Sequence, residues 1–392
     1  MDKHVLILTR TFPPSPGAVG HLVKELADEW EKRGCSVTVV TSGQADPADK
    51  ASPWKVCRVK ALPFTRKNFL LRAFSYLSLY PGMLWTAAMQ RRPDVIVTTT
   101  DPPLQAVVGV ALATIFRCKL IHWCQDLYPE MAEEAGVLKK QGLFANLLRK
   151  ISTAALQRHD KIVSIGRCMT ARLRTRGLSA SRITEIANWT DPEMIHPVEN
   201  TANRFLKREN LVARFVVLYS GNLGLAHSFE EILDAAERLQ REAPDVLFLF
   251  IGDGPRRAQA ERDASERNLA NTRFLPPQPW KTLPESLGAG HLHLVTLRAN
   301  ISGLVVPSKF YGGMASGRPC LFIGPGDSEV ARLIAEHELG RVVAPGDGAG
   351  LSAAILAYRD DPVTLEEQGR QARLFGQRST LSRSAGQFAD LF

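Results

Sequence analysis

One feature limits what this chain can fold into more than any other. Short β-branched runs, each closed by a glycine- or proline-bearing loop and followed by an amphipathic helix, recur along it and restart once past the middle. Strand, loop, helix, strand order implies crossover connections, and crossovers within one sheet make its strands parallel. Parallel sheets are covered by helices on both faces and bind ligands beyond the carboxyl ends of their strands. The chain is therefore α/β, and its loops after strands are where function is sought. Val5 to Leu8 opens the first half, followed by a loop with Pro13, Pro14, Pro16, Gly17 and Gly20, a helix from about His21 to Lys32, and a strand from Val37 to Thr41. Gly17 and Gly20 let backbone approach a phosphate or sugar closely, and a plain turn accounts for them equally well. The spacing is not GxGxxG, which argues against a nicotinamide dinucleotide.

Further strands are predicted near 94–99, 119–123, 161–165 and 183–186. The strand at 119–123 runs into Cys124-Gln125-Asp126-Leu127-Tyr128-Pro129-Glu130, placing Asp126 just past a strand end on the ligand-binding face. A capping or loop aspartate is the alternative. His122, inside the strand, reads as a core histidine.

The second half repeats the pattern. A strand from Val216 to Tyr219 meets Ser220-Gly221-Asn222-Leu223-Gly224, one from Val246 to Ile251 meets Gly252-Asp253-Gly254-Pro255, and one from Cys320 to Ile323 meets Gly324-Pro325-Gly326-Asp327-Ser328-Glu329. Strands are also predicted at 273–275 and 291–297. The three glycine loops are expected to gather at one sheet edge as a nucleotide pocket. Between them, in LVVPSKFYGGMASGRPCLFI, Ser308 and Lys309 start a helix that Gly317 stops. Helix-start N–H groups with Lys309 beside them suit a phosphate. An ordinary αβ unit whose serine caps its helix explains the same residues.

A chain of 392 residues exceeds one typical core and suits two α/β domains. We expect them at residues 1–195 and 212–375, joined by a mostly polar connection near 192–210, with a helix over 376–392. The six cysteines form no CxxC pair and read as buried thiols of a reducing cytoplasm. The amino terminus has no signal-peptide pattern, and no apolar run has the length of a clear membrane span. The net charge of +9 is uneven, with seven Lys or Arg and no acid between Arg58 and Arg92. Arg66, Lys67, Phe69, Arg72 and Trp85 in this strip predict contact with an anionic membrane surface. The alternative is aromatics packed on the sheet beneath a solvated rim. The apolar spacing suits a lipid-facing helix better than a nucleic-acid platform. No DxD-like metal site is present, so no metal or other cofactor is expected.

Together, the first glycine loop, QDLYPE, YSGNLG, IGDGP and PSKFYGGMASGRP resemble the GT-B glycosyltransferases over nearly the whole chain, and among them the bacterial retaining family 4 enzymes of capsule, exopolysaccharide and O-antigen synthesis. The resemblance implies two Rossmann-like domains facing a central cleft, with acceptor bound by the first, nucleotide sugar by the second, and a final helix returning to the first. It places Gly17 near donor phosphate or acceptor and Asp126 near the reacting sugar. It places Gly221, Asn222 and Gly224 near the diphosphate, Gly252 and Gly254 near the base, and Ser308 and Lys309 near the phosphates. Two departures stand out. Asn222 and His227 lie where such enzymes often carry Arg and Lys, and Gly312 stands where a ribose-binding Glu is usual, with Ser302 or Leu304 at its upstream partner. Lys309, Arg298 and Glu329 are candidates to take that role. The implied activity is metal-independent transfer from a nucleotide sugar, a UDP-sugar, to a glycan or polyprenyl-diphosphate-linked sugar at the inner face of the plasma membrane. A nucleotide-sugar epimerase of the same shape and a non-catalytic partner subunit are the alternatives.

Overall fold

The structure, a computed structural model, describes residues 2–15, 17–60, 62 and 69–392, with residues 69–73 described by backbone alone. The chain forms two compact units: Met1–Ala187 with Gly303–Val305 and Leu381–Phe392, and Asn188–Ser302 with Val306–Thr380.

The first unit holds a parallel sheet of β1 (His4–Leu8), β2 (Ser36–Ser42), β3 (Lys55–Val59), β4 (Val95–Thr99), β5 (Lys119–Cys124), β6 (Lys161–Ser164) and β7 (Ile183–Glu185) in the order β3-β2-β1-β4-β5-β6-β7. The central strands β1 and β4 are buried along their whole length, as expected for a sheet covered on both faces. On one face Leu6, Leu8, Ile96 and Leu120 pack under Leu79, Met83 and Ala87 of the helix Phe69–Ala88 and under Val108 and Leu112 of the helix Gln105–Phe116. The helix Leu143–Leu156 packs beside the latter. On the other face the helix Ala18–Lys32 meets the terminal helix Leu381–Ala389.

Trp30 is the anchor there. It is fully buried, its ring lies 5.8 Å from Phe388 and 5.0 Å from Phe392, and its Nε1 donates to Ala385 O at 3.1 Å. Removing a ring of that size from a closed core leaves a cavity, so Trp30→Ala is expected to cost about 3–5 kcal/mol. Urea unfolding at constant m-value measures it.

The second unit is a parallel sheet of β8 (Phe215–Ser220), β9 (Val246–Ile251), β10 (Thr272–Leu275), β11 (Leu292–Thr296), β12 (Cys320–Ile323) and β13 (Gly340–Val343) in the order β10-β9-β8-β11-β12-β13. The polar stretch expected to connect two domains packs into this unit. Asn203 caps the helix Arg204–Arg208, and Phe205 and Leu206 are buried against Val216, Leu218 and Leu249. Two well-placed apolar residues anchor it despite the absence of a period.

Candidate functional site

In the second unit β8 and β9 are neighbours, so their glycine loops interlock at the carboxyl edge. Gly221 N donates to Ile251 O at 2.9 Å, Leu223 N to Asp253 O at 2.9 Å, and Arg256 N to Leu223 O at 3.0 Å. The fit excludes side chains. Gly252 has φ 147°, and a Cβ on it would fall 2.0 Å from Gly221 O; Gly254 has φ 154°, and its Cβ would fall 2.5 Å from Leu223 O. The loop after β12 starts from the same edge, two strands from β8. Its Ser328 side chain accepts from Ala331 N, opening the helix Glu329–His337 with Glu329 buried.

Lys309 lies against the first of these loops. Its amine donates to Tyr219 Oη, stands 3.7 Å from the Tyr219 ring centroid, and lies 3.4 Å from Asn222 O and 3.3 Å from His227 Nε2. Gly221 makes room, since a Cβ there would meet Lys309 Cε at 3.4 Å. His227 Nδ1 sits 2.6 Å from Thr296 O, which assigns the proton to Nδ1 and leaves the Nε2 lone pair facing the amine. Burial pushes the Lys309 pKa well below that of an ordinary lysine. Burial likewise lowers His227, with Lys309 adding to it. Among the described residues no carboxylate forms an ion pair with Lys309. The amine is contacted by neutral groups, and the residue stays partly exposed.

The expected helix-start site is weaker than its residues suggested. The helix Lys309–Ala315 has seven residues, and Ser308 is exposed and makes no side-chain cap bond, so the alternative of a capping serine fails as well. The local charge is that of Lys309. At Gly312 a Cβ would meet Leu287 at 3.6 Å and Ile195 at 4.0 Å, an apolar surrounding that explains why this chain carries no carboxylate there. Arg298 turns its guanidinium to Leu225 O, on the glycine-loop side. Glu329 lies close enough to Tyr311 to help raise that phenol.

In the first unit, Gly17 and Asp126 lie at the carboxyl edge, after β1 and β5, with β4 between. Gly17 has φ 154° and precedes the helix Ala18–Lys32. The loops of β1 and β4 are tied by Arg10, whose Nε donates to Asp101 Oδ1 at 2.7 Å and whose backbone N donates to Asp101 O at 2.8 Å. Asp126 forms an antiparallel bridge with Val305, and Leu127 N donates to Leu304 O at 2.9 Å. It is not a helix cap, since Pro129 precedes the helix Glu130–Glu134. Burial pushes its carboxyl up to about 7, with nearby Asp101 adding. His122 is a core residue, its Nδ1 2.8 Å from Thr98 Oγ1. Of the basic strip, Arg66 and Lys67 lie outside the described residues, Phe69 and Arg72 fall in the helix Phe69–Ala88, and Trp85 is 71% exposed. Among the described residues no helix is long and apolar enough to cross a membrane, and no three His, Cys, Asp or Glu cluster as metal ligands.

Sequence reasoning missed Tyr219 and the Arg10–Asp101 pair. Tyr219 ends an apolar strand and reads as core; Arg10 and Asp101 are 91 positions apart.

Comparison with known proteins gives a consistent result. Residues 17–189 match the glycosyl transferase 4-like domain, and residues 203–375 match glycosyl transferases group 1. A probable glycosyltransferase, WbjE of Pseudomonas aeruginosa, is 26% identical over 357 residues, covering 90% of this chain and 88% of the relative. A putative colanic acid biosynthesis glycosyl transferase, WcaI of Escherichia coli K12, is 25% identical over 352 residues, covering 84% and 85%. Among solved structures, Anabaena HepE in complex with UDP and glucose superimposes with TM-score 0.77 at 17% identity, covering 99% of this chain and 98% of that one.

Proposed function

Because the chain belongs to the GT-B glycosyltransferases of family 4, we propose that it moves a sugar from a UDP-sugar to a hydroxyl of a lipid-linked glycan, with retention at the anomeric carbon, in bacterial surface polysaccharide synthesis. The observation that carries this reading is Lys309, a cation held among Tyr219, Asn222 and His227 beside two interlocked glycine loops, with no carboxylate ion-paired to it among the described residues. Enclosed charges are tolerated when paired. A diphosphate is the ligand that completes this one. UDP and glucose bound to HepE, and colanic acid synthesis in the name of WcaI, support the donor and the pathway class.

In the proposed reaction the bond between the anomeric carbon and the diphosphate oxygen breaks as the acceptor oxygen bonds to that carbon, and the acceptor's hydroxyl proton passes to the departing diphosphate oxygen. The charge left on the diphosphate is met by Lys309 and by backbone N–H groups of the glycine loops, without a metal ion. Asp126, whose carboxyl is pushed up to about 7 and ionises as pH rises through that value, orients the acceptor hydroxyl. Glu329 and Arg298 are assigned to the hydroxyls of the donor, the role that Gly312 cannot fill. The enzyme is proposed to work peripherally on the cytoplasmic side of the membrane, where a polyprenyl-diphosphate-linked acceptor is found.

A panel of nucleotide sugars tested by thermal shift checks the donor. A UDP-sugar at one hundred times its Kd is expected to stabilise the fold by about 2.7 kcal/mol, in excess EDTA as well as without it. No shift with any nucleotide sugar would refute the reading.

A further inference from the structure

Three helices of the first unit stand side by side on one face of its sheet: Phe69–Ala88, Gln105–Phe116 between the others, and Leu143–Leu156. Their inner residues make the core described above. Their outer residues are apolar too, at helical spacing. Phe74, Leu77 and Trp85 are 59%, 60% and 71% exposed, Ile115 is 61% exposed, and Leu143 and Leu147 are 92% and 53% exposed. Single exposed leucines are ordinary, whereas adjoining apolar faces on three neighbouring helices mark an interaction surface.

Charge indicates what covers it. Residues 61–93, 102–125 and 135–159, which contain the three helices, hold no Asp or Glu. Arginines follow each helix: Arg91 and Arg92, then Arg117, then Arg158. Arg91, Arg92, Arg117 and Lys119 line one open cavity at the sheet edge opposite the candidate site. Lys119 Nζ donates to Phe392 O at 2.9 Å and Arg92 to Arg117 O at 3.2 Å, while none of the three arginines is ion-paired with a carboxylate among the described residues. The two acids of that cavity are engaged, Asp94 Oδ2 with His4 N at 2.8 Å and Asp160 Oδ2 with Leu120 N at 2.8 Å. A helix dipole explains one terminal cation, but neither four around a cavity nor the apolar faces beside them.

We infer that this three-helix face is the foot on which the first unit rests at an anionic lipid bilayer, with Trp85, Leu143 and Leu147 entering the boundary between headgroups and acyl chains and Arg91, Arg92 and Arg117 meeting lipid phosphates. The inference rests on the membrane-surface part of the proposed function. To the basic strip, which already holds Arg91 and Arg92, it adds the helix Leu143–Leu156, Arg117 and Lys119, and the cavity that joins the strip to the last two. A second copy of the chain is the poorer occupant, because it would set like charges against like.

Sedimentation of the full chain with phosphatidylcholine vesicles, with and without 30% phosphatidylglycerol, tests it. Wild-type protein is expected to bind the anionic vesicles at low salt and to leave them as salt rises. Leu143→Glu with Leu147→Glu is expected to lower the partition coefficient at least tenfold. Arg91→Gln with Arg92→Gln is expected to lower it about 25-fold, near fivefold per charge. Each variant should keep the wild-type thermal shift with a UDP-sugar, which shows that the fold is intact. If wild type binds but the Leu143 and Leu147 variant binds equally well, the foot is wrong and membrane association survives. If wild type stays in the supernatant with both vesicles, the membrane reading and the foot fall together, while glycosyl transfer stands or falls on the donor test. A dimer in light scattering that Leu143→Glu dissociates would assign the face to a second copy and overturn the inference.

Discussion

Replacing Lys309 with methionine is expected to lower sugar transfer by about 10²- to 10³-fold while leaving the melting temperature unchanged or raised. The two halves of this expectation have one physical cause. The amine sits over the Tyr219 ring and against Asn222 O and His227, with no carboxylate ion-paired to it, so burial holds its pKa well below that of a free lysine. A cation whose folded pKa is lowered costs stability at every pH below its unfolded value. Methionine fills a similar volume and removes that cost. On the proposed mechanism, catalysis loses the group that meets the charge developing on the leaving diphosphate, and removing one such donor typically costs that factor in turnover. Steady-state kinetics beside a melting curve decides. A variant that melts several degrees lower yet turns over normally would show that Lys309 holds the loops together and does nothing more.

The second large effect is at Asp126. Asp126→Asn is expected to lower kcat/KM by about 10²-fold at pH 8 and to flatten its pH dependence. In the wild type the carboxyl is raised to about 7 by burial and by Asp101. The ionised form, proposed to orient the acceptor, therefore accumulates only as pH rises through 7. The stability effect has the opposite sign. Because the folded pKa lies above the unfolded one, Asp126 stabilises the fold below about pH 4, and this contribution is lost progressively as pH rises through about 7. The asparagine variant should match wild-type melting at pH 4 and exceed it at pH 8. Equal melting differences at both pH values would mean that Asp126 does not titrate in this range. An unchanged pH–rate profile would remove it from acceptor binding.

What could be read from the residues alone follows a physical rule. The central strands were legible because both faces are buried, giving continuous apolar runs such as Val246–Ile251 and Val95–Thr99. The edge strands β3 and β13 were not, because Lys55–Val59 and Gly340–Val343 are short and partly exposed, and carry Lys or Arg. Gly252 and Gly254 could be picked out because only glycine tolerates their φ angles against neighbouring backbone. The surroundings of Lys309 could not. Tyr219 and His227 reach it across 90 and 82 positions, and neither carries a local pattern that distinguishes it from a core tyrosine or a loop histidine. The basic strip was visible as composition. The apolar outer face of the helix Leu143–Leu156 was not, because the pattern of an amphipathic helix does not say which side meets solvent.

The return of residues 303–305 and 381–392 to the first unit has a consequence for how the protein is made. A ribosome delivers Trp30 early, yet Ala385, Phe388 and Phe392, the partners that close over it, are made some 355 residues later. The nascent first unit therefore waits with an open apolar seam until those residues are made. That interval is when a chaperone has something to hold, and loss of residues 381–392 would leave the seam permanently unsealed.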